Sequence, residues 1–144
     1  METILAFKAI NLTKTKKYTS EQDPEYGTDK ASVFTLGAID SRTMSHIIDS
    51  NMESKIGPDG EQMSKYNQLT VAYNLVRFGL KDITNFENDD GTPLVFKTEK
   101  INYGGKTYTV AADEILSVLP TFLIMELAAE VNEVNTVSET DSKN

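Results

Sequence analysis

Val95-Phe96-Lys97-Thr98-Glu99-Lys100-Ile101-Asn102-Tyr103-Gly104-Gly105-Lys106-Thr107-Tyr108-Thr109-Val110 joins two strand-forming runs through a pair of glycines. A two-residue hairpin turn of the primed type needs φ > 0 at its central positions, which glycine adopts without a Cβ clash. Thr107, Tyr108, Thr109 and Val110 are β-branched or aromatic, types that suit a pleated, half-buried surface. The stretch predicts an antiparallel hairpin over 95–103 and 106–110, so the flanking segments have a sheet to pack against.

Upstream, residues 82–93 read as a turn-rich bridge whose large apolar residues are Ile83 and Phe86. Before it, Met63, Tyr66, Leu69, Tyr73, Val76 and Leu80 recur every three or four residues, with Ala72, Leu75 and Phe78 widening the stripe. That period predicts a long central helix over 61–80. Gly57-Pro58-Asp59-Gly60 marks a break over 54–60, and Asp59 with Gln62 has capping-box spacing. Asp40 or Ser41 is placed to cap an earlier helix, on which Met44, Ile47 and Ile48 share a face. Residues 3–12 and 31–37 read as N-terminal strands. The segment between them, 14–30, reads as a polar loop, with turn signals at Asp23-Pro24 and Tyr26-Gly27. Its length suits a mobile or contact-making loop.

Downstream, Asp113 is placed to cap a short helix through Leu119, and Pro120 stops and restarts it, lacking the N–H a helix interior needs. The restarted helix carries Phe122, Leu123, Leu127, Val131 and Val134 on one side and Glu126, Glu130 and Glu133 on the other. Residues 138–144 read as a polar tail. The expectation is a single α+β domain over 1–137. In it, a small antiparallel sheet (N-terminal strands plus the hairpin) packs with the long central helix and the C-terminal helices.

Composition narrows the chemistry. The chain has 144 residues, with 14 Lys+Arg against 22 Asp+Glu, one His and no Cys. Thiolate metal sites, disulfides and cysteine nucleophiles are excluded, as are poly-histidine sites. A net charge of −8 argues against nucleic acid as a partner, because phosphates must be met by Lys and Arg. The acidity is uneven: residues 113–144 hold seven acids and one lysine, on a nearly neutral body. No apolar run approaches the ~18 residues of a membrane span, and residues 1–8 lack the basic-then-apolar pattern of a secretory signal. The expectation is a cytoplasmic location with no membrane partner.

The catalytic templates fail in turn. Gly104-Gly105-Lys106-Thr107 ends like a phosphate-binding loop, but Lys100 stands where the motif needs glycine, and a strand follows instead of a helix. Glu87-Asn88-Asp89-Asp90-Gly91 gathers oxygen ligands before a glycine, yet the EF-hand frame puts Phe86 at its first position and Lys97 at its twelfth. His46 has Asp49 and Ser50 within a helical turn but no nucleophile elbow nearby. A hairpin turn, a solvated turn and a structural histidine account for the three. No catalytic residue, cofactor or metal is expected. Contact with other molecules is expected at Lys14, Lys16, Lys17 and Tyr18 in the basic cluster, and at Phe122, Glu126, Glu130 and Glu133 in the C-terminal helix.

Residues 76–96, Val-Arg-Phe-Gly-Leu-Lys-Asp-Ile-Thr-Asn-Phe-Glu-Asn-Asp-Asp-Gly-Thr-Pro-Leu-Val-Phe, resemble a pattern in small structural and assembly proteins of tailed-bacteriophage morphogenesis clusters. Those proteins have a helix-ending turn, an acidic Asp-Gly loop and a Pro-hydrophobic-Phe step. Leu119-Pro120, Lys143-Asn144 and the strand at 31–40 extend the resemblance, whereas Lys81-Asp82-Ile83 departs from the glycine–tryptophan form of the turn. The resemblance implies a non-enzymatic virion protein at head, neck or tail, found in the virion or the host cytoplasm. Its partners would be other phage structural proteins, and homo-oligomerisation is left open. A tail-assembly chaperone not retained in the virion and a host-directed phage inhibitor are the alternatives; a small hydrolase or nucleotide-binding enzyme ranks last.

Overall fold

A computed structural model describes residues 8–141, with side chains omitted at 53–55, 62–66 and 137–141. The chain runs β1 (Thr15–Tyr18), β2 (Val33–Gly37), α1 (Ser41–Asp49), β3 (Met52–Ile56), β4 (Gln62–Tyr66), α2 (Gln68–Gly79), β5 (Leu80–Thr84), β6 (Thr98–Tyr103), β7 (Lys106–Ala111), α3 (Asp113–Leu116) and α4 (Thr121–Asp141). This is an α+β fold with antiparallel strands, as expected. The strands form three separate sheets where the sequence predicts one: β1-β2-β5, the β3–β4 hairpin and the β6–β7 hairpin.

The β6–β7 hairpin lies where the paired glycines put it, closing with Tyr103 opposite Lys106. Gly104 and Gly105 take φ +58° and +82°, as the primed turn demands. Asp40 caps α1, its carboxylate accepting from the Thr43 backbone N–H at 3.1 Å.

Several expectations need correction. Of the strand expected over 3–12, residues 3–7 lie outside the described residues and 8–12 are irregular; among the described residues the first strand is β1, inside the supposed loop. β1 has an edge to join, pairing Tyr18 with Phe34 and Lys16 with Leu36 of β2. The central helix begins at Gln68, not Glu61, because residues 62–66 pair with 52–56 across the Gly57–Gly60 turn. Asn67 caps it, accepting from Thr70 N–H, while Asp59 Oδ1 accepts from Glu61 N–H within the turn. The bridge after α2 opens with a strand: β5 follows the helix without a loop and pairs with β2. Lastly, α3 is preceded by Ala112 and has no side-chain cap, so Asp113 is its first helical residue. The α4 backbone continues through Asp141, past the start of the expected tail.

One core joins these pieces. Leu75 and Val76 of α2, Ile124, Leu127 and Val131 of α4, Phe34 and Leu36 of β2, Leu80 of β5 and Val110 of β7 are all buried. Each fully buried aliphatic side chain contributes about 1.5–3 kcal/mol by leaving water. Of the apolar side expected for α4, Leu123, Leu127, Val131 and Val134 are buried, but Phe122 stands half exposed. Gly79 at the end of α2 lets α4 approach closely, since a Cβ there would lie 2.6 Å from Val131 Cγ2.

Candidate functional site

The basic cluster and the acidic helix, read from sequence as two separate contact surfaces, meet each other. In β1, Lys16 and Tyr18 alternate with Lys17, and the pair faces α4. Lys16 Nζ lies 2.7 Å from Glu130 Oε1 and 3.6 Å from Glu133 Oε1. Tyr18 donates its hydroxyl to Glu126 Oε1 at 2.7 Å, and Gln22 Nε2 donates to the other oxygen of the same carboxylate at 2.6 Å. Burial and then the Glu126 hydrogen bond and charge push the Tyr18 phenol well above its ordinary range, keeping it a neutral donor. The Glu130 hydrogen bond raises the Lys16 ammonium, against a smaller opposing effect of burial. The strongest acidic feature of the sequence is thus engaged within the chain. Lys17 is exposed on the opposite face of the strand, and Lys14 is exposed just ahead of it.

Above this seam the chain continues into a loop that curls back on the start of α4. Asp23 holds the loop: its carboxylate accepts from Glu25 N–H at 2.9 Å and Ser32 N–H at 2.7 Å. Those backbone hydrogen bonds keep its carboxyl below the ordinary carboxylate value. Between loop and helix lies a small apolar groove of about 190 Å³ whose lining includes Gln22, Pro24, Phe34, Phe86, Pro120 and Phe122. Phe34 and Phe86 meet edge to face beneath it, their centroids 6.0 Å apart. Phe122 in the groove wall is 50% exposed, Met125 one helical turn further on is 41% exposed, and Val118 just before Pro120 is 54% exposed. Large apolar side chains left open around an apolar groove mark a contact site more than they mark packing. Phe122 is the one residue of this patch that sequence reasoning named as a contact. Gln22, Pro24 and Phe86 carry no such sign, since nothing in their local pattern says that residues tens to a hundred positions apart meet.

His46 and the Gly104-Lys106 turn, the two rejected catalytic features, line one cleft of about 150 Å³ with Asp40, Arg42, Thr43, Tyr103 and Tyr108. The His46 ring stacks edge-on against Tyr103 at 4.7 Å. Thr43 Oγ1 donates to Asp40 Oδ1 at 2.7 Å and shares a hydrogen bond with the Tyr108 hydroxyl at 2.9 Å. Burial alone would raise the Asp40 carboxyl. The Thr43 hydroxyl and N–H, with Lys106, outweigh it and hold the group below its ordinary value. The Thr43–Tyr108 bond and the His46–Tyr103 contact dock the β6–β7 hairpin on α1.

In the acidic turn, Asp90 Oδ1 accepts from Thr92 N–H and Oγ1, so that oxygen closes the turn, and Gly91 supplies φ +86°. Among the described residues no group of three or more His, Asp or Glu is placed to hold a metal ion. No described helix is long and apolar enough to cross a membrane. Comparison of the chain with protein-family models, curated proteins and solved structures finds no match in any of the three.

Proposed function

We propose that this chain is a non-enzymatic bacteriophage structural or assembly protein, working through protein–protein contacts at the head, neck or tail of the virion. The observation that carries it is the half-exposed Phe122 in the wall of the apolar groove between the 20–24 loop and α4, with Met125 exposed one helical turn further on. The phage-like pattern over residues 76–96 supports the same reading. Because Glu126 and Glu130 are bonded by Tyr18, Gln22 and Lys16, their carboxylates are already engaged within the chain, which leaves exposed apolar side chains as the feature of this end that a partner would meet. That arrangement favours a protein partner over the mimicry of nucleic acid by a free acidic helix.

Mass spectrometry of purified particles from the phage that encodes the chain tests the proposal. The protein is expected in the virion. A double substitution, F122D/M125D, is expected to exclude it from particles while leaving it folded, with a modest fall in melting temperature, since about half of each side chain is exposed and the rest is packed. Presence in assembly intermediates but absence from finished particles would favour the tail-assembly chaperone. Absence from both, or heat on titrating nucleotide into the His46 cleft, would overturn the proposal.

A further inference from the structure

The β3–β4 hairpin is held differently from the rest of the molecule. Its two strands pair with each other and, among the described residues, with no other strand. Among the described residues, their backbone neighbours are chiefly each other. Asn67 N–H donates to Asn51 O at 3.0 Å at the base, and Asn51 Nδ2 donates to Ile47 O at 2.7 Å, anchoring the hairpin to the end of α1. Met52 and Ile56, four residues apart on one face of β3, are 47% and 81% exposed. An isolated two-stranded hairpin is marginal in water, and an open edge beside an apolar face invites another strand.

The sequence of β3 specifies which strand. Met52-Glu53-Ser54-Lys55-Ile56 is self-complementary about its centre. Antiparallel pairing of two such strands about a twofold axis at position 54 sets position 53 against 55 and position 52 against 56. In that register an acidic position stands opposite a basic one twice, and a methionine position opposite an isoleucine one twice. The same operation on β4, Gln62-Met63-Ser64-Lys65-Tyr66, sets methionine against lysine and yields no charge pair. We infer that β3 is a homodimerisation edge: a second copy of this chain adds its own β3 antiparallel to it, giving a four-stranded sheet in the order β4-β3-β3-β4. The interface is isologous, as a twofold dimer requires, and places four exposed apolar side chains, two from each copy, on one face. It uses a surface separate from the Phe122 patch and does not depend on the phage assignment.

Sedimentation velocity of the full chain over a concentration series tests it with charge variants. The wild-type protein is expected to approach twice its monomer mass with rising concentration. K55E sets glutamate against glutamate at both symmetric positions and is expected to weaken the dimer about tenfold or more, since directly opposed like charges are destabilising. E53K sets lysine against lysine and should act likewise. Mixing the two variants restores acid against base in every pair, so the mixture is expected to form a heterodimer that neither variant forms with itself. That rescue separates loss of pairing from loss of folding. A wild-type monomer at hundreds of micromolar would overturn the inference. So would a dimer indifferent to K55E, one lost in F122D/M125D but not in K55E, or a mixture no more associated than its components.

Discussion

Replacing Gly79 by alanine tests how closely α2 and α4 cross. A methyl group built there meets Val131 Cγ2 at 2.6 Å and Cγ1 at 2.8 Å, with Cβ at 3.3 Å. Carbon atoms prefer separations near 3.5–4.0 Å, so the methyl lies roughly 0.8 Å too close. Val131 cannot turn away, because both of its γ-carbons are already near and the residue is fully buried. One helix must shift against the other. Overpacking of this kind costs about 1–3 kcal/mol. Helix propensity offsets at most about 1 kcal/mol, and less at the last residue of a helix. The net expectation is a loss of about 1–2 kcal/mol, seen as a urea midpoint lower by about 0.5–1 M at an ordinary slope. Val131→Ala removes both γ-carbons and is itself destabilising, but in that background, where only the Cβ contact at 3.3 Å is left, the Gly79→Ala penalty should largely disappear, leaving a coupling of about 1–2 kcal/mol between the sites. A Gly79→Ala variant as stable as wild type, or a penalty unchanged in the Val131→Ala background, would show that glycine at 79 is not what lets the helices meet.

Two further outcomes follow from single side chains. Asn135 brackets the backbone of buried Ile39, accepting from its N–H at 3.0 Å and donating to its C=O at 2.7 Å. Asn135→Ala should therefore cost about 2 kcal/mol by leaving backbone groups unpaired, whereas the exposed neighbour Asn132→Ala should stay within about 0.5 kcal/mol in the same urea titration; equal effects would refute the bracket. Asp23, held below 3.8 by the N–H groups of Glu25 and Ser32, contributes stability that is fully present above that value and is lost as pH falls through the lower folded value. Asp23→Asn should flatten that acid limb of the urea midpoint, and an unaltered pH dependence would exclude Asp23 as its source.

Sequence reading succeeded where structure is decided within a few residues. Gly104-Gly105 needs only its own backbone freedom to turn the chain, and Asp40 needs only Thr43, three positions on. It failed where a distant partner chooses between local options. Met63 and Tyr66 fit a helical spacing onto Leu69, yet residues 62–66 are a strand because 52–56 lie across the turn to take their hydrogen bonds. Met52-Glu53-Ser54-Lys55-Ile56 before Gly57-Pro58 was the available signal, a short alternation into a turn. Thr15–Tyr18 reads as loop because it is rich in lysine, and it is a strand because Phe34 and Leu36 lie alongside and Glu130 neutralises Lys16.

By itself the sequence determined the α+β class, the β6–β7 hairpin, the cap of α1 and the concentration of acid in residues 113–144. Turn geometry, capping and composition act locally and leave a mark that survives without the fold. Only the tertiary structure decided that the acidic helix commits its carboxylates to β1, that Asn135 holds Ile39, and that Phe122 and Met125 remain exposed while Ile124 is buried. Those outcomes depend on which faces close over which, and side chains more than ninety positions apart carry no local record of meeting.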